Sequence, residues 1–293
     1  MESNIKGIAL LIEGGAMRAS MTSGFCNALL EEGLYFDYVA GISAGSSCAV
    51  NYLSRDPQRM HRSFVAFAQD PNFGGWGSFW RGEGFFRAHY IYEQTARADQ
   101  ALPFDFETFQ KNPADFRIGA FHTVSGTLRY FRRSDVKSLE DLMKIVRASS
   151  SMPILMPPGE VRGEKYLDGG LGGGIPLDIA KEDGYERFFV LLSRPKAYWK
   201  KPPKTPKVLE RLLREDPLAA QALKGRHLKY NAIKEELLQL EQKGQALLVF
   251  PQTPPVKNRE RNLEKLEAAY EAGLSQGRSE MARWMNFLQR GHR

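Results

Sequence analysis

Within the first fifty residues, two short apolar runs each end in glycines and each lead directly into a helical pattern. Lys6–Ile12 (KGIALLI) runs into Gly14-Gly15, and Tyr38–Ile42 runs into Ser43-Ala44-Gly45. Short apolar runs bounded by glycine read as buried strands. Met17, Met21, Phe25 and Leu29 recur at helical spacing across Met17–Glu32, and Gly33 supplies the stop. Ala44–Leu53 is a second helix, rich in small residues. Strand, helix, strand, helix in so little chain requires a parallel sheet covered by helices, the α/β class.

The remainder fills in that frame. Asp70–Gly84 (DPNFGGWGSFWRGEG) is too rich in glycine for a regular element and reads as an irregular aromatic loop, a lid or acyl-pocket wall. Phe116–Val124 and Thr127–Arg132 flank Ser125-Gly126 and predict a hairpin. Leu139–Ala148 predicts a helix, while Lys165–Leu167 and Arg187–Leu192 predict strands. Arg194–Lys207 holds six basic residues, four prolines and no acid, so it reads as an extended linker or loop. Beyond it lie helical patterns at Val208–Leu213, Pro217–Lys243 and Arg259–Leu288, with a strand-like Ala246–Phe250 between. A boundary is expected near residue 195, dividing a sheet domain over 5–195 from a basic, mainly helical extension over 196–293.

Charge follows the same division. The chain of 293 residues carries +7. From Arg194 onward there are 21 Lys and Arg against 11 Asp and Glu, a balance of +10. The rest has 20 against 23, or −3. A basic extension beside a near-neutral body suits an anionic partner such as a membrane surface, or else a merely solubilising surface. No nucleic-acid-binding module accompanies it, so nucleic acid is not expected as a partner. Tyr198 and Trp199 among the lysines suit a headgroup zone. Cys26 and Cys48 form neither a disulfide framework nor a metal cluster and read as buried thiols in a reducing compartment. The N-terminus lacks the pattern of a secretory signal, and no apolar run approaches the roughly 20 residues that span a bilayer. The expectation is a cytoplasmic protein that meets membranes, if at all, from outside.

Three motifs carry chemistry. Gly41-Ile42-Ser43-Ala44-Gly45 lies where the second strand meets the second helix. A sharp turn there exposes the Ser43 hydroxyl, and the helix start offers free N–H groups where negative charge would develop. Gly14-Gly15-Ala16-Met17-Arg18 lies at the equivalent junction of the first strand and predicts an anion-holding loop. It matches neither G-x-G-x-x-G nor a Walker A sequence. Asp168-Gly169-Gly170 follows a short strand, where a carboxylate within reach can accept a serine proton. Of the five histidines, only His227 and His292 follow the acid as an α/β-hydrolase triad would require, and neither has a supporting local signal. Metal-site sequences are missing.

Together these motifs resemble the patatin-like phospholipase family, in its bacterial form with a basic helical C-terminal extension. The resemblance runs over about residues 5–195 and includes the Ala148-Ser149-Ser150-Ser151-Met152-Pro153 stretch before the acid. It implies a three-layer α/β/α fold and hydrolysis of lipid carboxyl esters without metal or other cofactor. It further implies a dyad of Ser43 and Asp168 without histidine. The oxyanion and substrate-binding groups would be Gly14, Gly15, Ala16, Met17, Arg18 and Ala44. Gly41, Gly45, Gly169 and Gly170 would shape the turns. The substrate would be a phospholipid or another acyl-ester lipid. Two positions depart from the family pattern: Ala16 and Ala19 stand where glycines are expected. A Cβ at Ala16 restricts positive φ and crowds a substrate. A general esterase or thioesterase for soluble substrates, or an inactive lipid-binding scaffold of the same fold, are the rival readings.

Overall fold

A computed structural model describes residues 2–290; His292 lies outside the described residues. Eight strands and ten α-helices lie along them. In chain order they are β1 (Ile5–Ile12), α1 (Ala19–Glu31), β2 (Phe36–Ile42), α2 (Ala44–Leu53), α3 (Pro57–Phe64), α4 (Trp76–Trp80) and α5 (Phe106–Lys111). Then come β3 (Asp115–His122), β4 (Leu128–Phe131), α6 (Leu139–Ser150), β5 (Gly159–Val161), β6 (Glu164–Asp168), α7 (Leu177–Glu182) and β7 (Phe188–Leu191). The chain closes with α8 (Pro206–Leu212), α9 (Pro217–Gln242), β8 (Ala246–Val249) and α10 (Leu263–Gln289).

The strands form one sheet in the order β5-β6-β3-β2-β1-β7-β8, with β4 also paired to β3. The middle is parallel, as the alternation of strands and helices requires, with β3 beside β2, β2 beside β1 and β1 beside β7. β4, β5 and β6 enter antiparallel, so the sheet is mixed. The expected hairpin is β3 and β4, with Ile118 opposite Phe131.

Side chains alternate across a strand, which splits the core in two. Ile8, Leu10 and Ile12 of β1 face one layer with Phe25, Val50, Ile145 and Trp284. Ala9 and Leu11 face the other with Leu177, Tyr230 and Leu237. The layers are therefore α1, α2, α3, α6 and α10, the sheet, and α7 with α9.

The boundary expected near residue 195 falls inside this sheet. β8 pairs in parallel with β7, placing Phe189 opposite Leu247. Trp284 of α10 is fully buried and meets Phe189 edge-on, with ring centroids 5.3 Å apart. Gly24 and Gly273 let α1 and α10 cross closely, and Asn27 Nδ2 donates to the Tyr270 hydroxyl at 2.8 Å across the contact. The last third thus completes the core of the first two. α10 starts four residues later than its pattern predicts. Asn262 caps it by accepting the Lys265 N–H at 2.9 Å, while Arg261 turns away to donate to Ala68 O.

Candidate active site

Ser43 sits between β2 and α2 with φ 56° and ψ −130°, a conformation that L-residues rarely adopt. The two glycines around it are required by contact. A Cβ on Gly41 would strike the carbonyl of Gly45, and a Cβ on Gly45 would strike the carbonyl of Ile12. The turn is tied from two sides. Ser46 Oγ donates to Ser43 O at 2.6 Å, and Ser43 N donates to Ser149 Oγ at 2.8 Å. Ser149 Oγ donates onward to Gly119 O of β3 at 2.6 Å. α6 delivers Ser149: a capping box of Ser138 and Asp141 starts this helix and it ends at Ser150.

Asp168 closes β6. Its Oδ2 accepts the Ser43 hydroxyl at 2.6 Å, its Oδ1 accepts the Gly170 N–H at 2.6 Å, and its own N–H donates to Ser151 O at 2.7 Å. Gly169 and Gly170 open the short 3-10 turn Gly169–Gly172. Asp168 is 7% exposed. Burial raises its pKa above the ordinary carboxylate value, while the positive charge of Arg226 and the bonds from Ser43 and Gly170 pull the other way.

The Gly14–Arg18 loop lies against this pair. A Cβ on Gly14 would come within 3.0 Å of Ser43 Cβ. Behind the loop, buried Glu13 accepts the Ser193 N–H at 2.6 Å, and Ser193 Oγ donates to Gly14 O at 3.0 Å. The N–H groups of Gly15, Ala16 and Ala44 have no hydrogen-bond acceptor among the described residues. Ala16 holds φ 48°, the left-handed region in which a Cβ is costly. A short 3-10 turn over Ala16–Arg18 precedes α1, so the α-helix begins two residues after the predicted Met17. The geometry is that of a hydroxyl primed by a carboxylate beside unpaired N–H donors, an arrangement suited to acyl transfer.

Two spaces meet at Ser43. One is an apolar pocket walled by Met17, Phe64, Phe67, Phe73, Phe86 and Met156. The other is a polar cleft bordered by Gly15, Ala16, Asp168, Arg18, Arg226 and Asn258. Of the aromatic loop, Phe73 reaches the pocket, whereas Trp76 and Trp80 are 55% and 80% exposed and line neither space. In their helix, α4, Trp76 packs edge-on against Phe79 and Phe85.

Some site residues escaped sequence reading. Arg226 belongs to α9 and looks like one cation on a solvated helix, yet its guanidinium lies beside the Asp168 turn: a Cβ on Gly170 would be 2.5 Å from Arg226 Nη2 and 2.7 Å from Asp168 Oδ1. Glu13, Ser193 and Ser149 likewise gain roles only through distant partners. Arg194–Lys207 is not a free linker throughout. Lys234 Nζ donates to Lys196 O at 2.6 Å and to Tyr198 O at 2.5 Å, and Lys200 N donates to Asn231 Oδ1 at 2.9 Å. Of the histidines, His61 pairs with Glu267, His89 with Glu93, His122 with Ser125 and His227 with Lys224 O.

Residues 216–289 match the model of a domain of unknown function (DUF6363). The chain is 24% identical over 193 residues to the protein YjjU of Escherichia coli (strain K12), which covers 64% of this chain and 52% of that protein. It is 27% identical over 191 residues to lysophospholipase NTE1 of Phaeosphaeria nodorum, covering 64% of this chain and 12% of that protein. The chain thus spans about half the length of the first relative and a small part of the second. The crystal structure of VipD from Legionella pneumophila superposes with a TM-score of 0.51 at 13% identity, over 96% of this chain and 66% of that one, a likeness of fold. A model described as patatin-like phospholipase matches residues 10–181, more than half of the chain and the whole of the elbow, loop and acid described above, and the chain belongs to that family.

Proposed function

We propose that this protein hydrolyses carboxyl esters of lipids, with Ser43 as nucleophile and Asp168 as the single protein base. The observation that carries the reading is the 2.6 Å hydrogen bond from Ser43 Oγ to Asp168 Oδ2 at the mouth of an apolar pocket. Membership of the patatin-like phospholipase family supports it.

The acyl chain lies in the apolar pocket, which brings its ester carbonyl over Ser43. Asp168 takes the hydroxyl proton as Oγ bonds to the carbonyl carbon. The N–H groups of Gly15, Ala16 and Ala44 hold the oxyanion of the tetrahedral intermediate. The intermediate collapses, the C–O bond to the alcohol breaks, and Asp168 returns the proton to the leaving oxygen. Water then attacks the acyl-Ser43 ester and gives its proton to Asp168; the bond from Ser43 Oγ to the acyl carbon breaks, Asp168 returns the proton to Oγ, and the fatty acid departs. The raised pKa of Asp168 makes the carboxylate a stronger base than an exposed one.

The reading includes a peripheral station on the cytoplasmic face of an anionic membrane. Lys201, Lys204 and Lys207 are exposed, Trp199 is partly exposed beside them, and Cys26 and Cys48 are buried free thiols. Among the described residues no helix is long and apolar enough to cross a membrane.

Labelling by a fluorophosphonate tests the nucleophile. Wild type should label and turn over a lipid ester, and Ser43→Ala should do neither. Turnover retained by purified Ser43→Ala would overturn the reading.

A further inference from the structure

The polar cleft beside Ser43 carries charge that the ester chemistry leaves unused. Arg18 and Arg226 border it, and the Nε atoms of both are buried without a hydrogen-bond partner among the described residues. Arg194 follows Ser193, whose Oγ donates to Gly14 O, and Lys200 is tied to Asn231 on α9, the helix that carries Arg226; their charges act on Arg18 and on each other. None of the four cations has a carboxylate in ion-pair contact among the described residues, although ion pairs are frequent elsewhere in the chain. Glu13 and Asp168 are the nearby buried acids; Glu13 already accepts the Ser193 N–H, and Asp168 accepts the Ser43 hydroxyl and the Gly170 N–H.

These cations are held in place. Lys200 exchanges two hydrogen bonds with Asn231, at 2.9 and 3.0 Å, and its ammonium lies 4.5 Å from the centre of the Tyr230 ring. Arg194 stacks over Tyr198 at 4.3 Å. Crowding has a measurable sign. Burial, then the charge of Arg226, lowers the Lys200 pKa to about 7; Glu13 pulls the other way, and Arg194 and Arg18 each lower it by less. Gathering like charges in a partly buried cleft is unfavourable unless an anion joins them. Guanidinium groups suit a phosphate, which they can grip with paired N–H donors.

We propose that Arg18, Arg194, Lys200 and Arg226 form a phosphate-binding subsite that holds the headgroup phosphate of the ester lipid while the acyl chain occupies the apolar pocket. The inference rests on the ester-lipid reading above for its orientation of the ligand. Three of the four cations come from beyond the stretch that matches the patatin-like phospholipase model, so the last third of the chain selects the headgroup and the first two-thirds supply the nucleophile.

Binding, not turnover, provides the test, so its outcome is independent of whether Ser43 is a nucleophile. Full-length Ser43→Ala protein is titrated calorimetrically with a single-chain acylglycerol phosphate below its micelle concentration, with the matched neutral monoacylglycerol, and with inorganic phosphate. The phosphate-bearing lipid should bind about 10-fold or more tighter than the neutral one, the scale of charge-assisted hydrogen bonds. Inorganic phosphate should compete with it. Adding Lys200→Gln and Arg226→Gln should erase the preference, and Arg226→Lys should keep part of it; melting curves establish that each variant is folded, with Lys200→Gln alone as the milder substitute. Equal affinity for the two lipids, or a preference that survives in the folded double variant, overturns the proposal. So does inorganic phosphate that binds without displacing the lipid, since the site would then serve free phosphate.

Discussion

Ser43 and Asp168 meet because two strands on the same edge of β3 run head to head. β4 occupies the other edge of β3, opposite Ile118 through Phe121. β2 runs parallel to β3 and ends with Ile42 opposite Gly119; β6 runs antiparallel and ends with Asp168 opposite Ala120. The C-terminal ends of β2 and β6 therefore face each other over a single step of β3, and the hydroxyl and carboxylate span the gap at 2.6 Å. Neither group depends on a flexible loop for its position.

The strain at Ser43 can be measured apart from its chemistry. Ser43→Ala and Ser43→Gly both remove the hydroxyl, and both should abolish hydrolysis. Only glycine relieves φ 56° and ψ −130°. Against the entropy that glycine adds to the unfolded chain, Ser43→Gly should still be the more stable of the two by about 1 kcal/mol. Urea unfolding of the pair checks this, and equal stability would mean that the elbow stores no strain.

Asp168→Asn should exchange activity for stability. A carboxyl whose pKa is higher in the folded than in the unfolded chain stabilises the fold below its unfolded pKa, and that contribution is lost as pH rises through the folded value. At neutral pH ionised Asp168 thus opposes folding. The amide keeps an acceptor for the Gly170 N–H but takes no proton. The variant should lose at least about 100-fold in kcat, the typical contribution of a general base, and melt at a higher temperature than wild type. Wild-type kcat/KM should rise with pH through one ionisation above the usual carboxylate range. His227→Ala should leave both properties near wild type, since its ring bonds to Lys224 O on its own helix.

Ala16→Gly addresses the loop. The residue sits at φ 48° and borders both the pocket and the cleft. Glycine removes a left-handed penalty of roughly 1–2 kcal/mol and the methyl group next to the incoming carbonyl. The change should raise kcat/KM for long-chain esters more than for short ones. Equal rates on both would show that the loop already accepts the methyl group.

Lys201→Gln, Lys204→Gln and Lys207→Gln together should weaken co-sedimentation with anionic vesicles, at about 1 kcal/mol per lysine near the surface. The loss should shrink in 1 M salt, where the Debye length is roughly 3 Å. Hydrolysis of a soluble short-chain ester should not change. Arg194 and Lys200 are omitted because their charges act on Arg18, which borders the polar cleft. Undiminished sedimentation would remove the segment from membrane docking.

The sequence by itself determined the parallel middle of the sheet, the elbow and the glycine loop. Each is written in adjacent residues: an apolar run must be buried, and glycine is the residue that lets backbone pass at Gly41 and Gly45. Asp168 was legible through its glycine turn. Only the tertiary structure decided what surrounds them. β8 is four residues long, and nothing local says that its partner is β7. Trp76 and Trp80 have the same composition signal as Phe73, yet only Phe73 reaches the pocket, because burial depends on the path of the loop. Arg226 and Lys200 resemble the many cations that face solvent along the basic third. Arg226 comes to lie beside Asp168 because α9 packs over the sheet, and Asn231 of the same helix holds Lys200, contacts between residues whose local patterns carry no trace of one another.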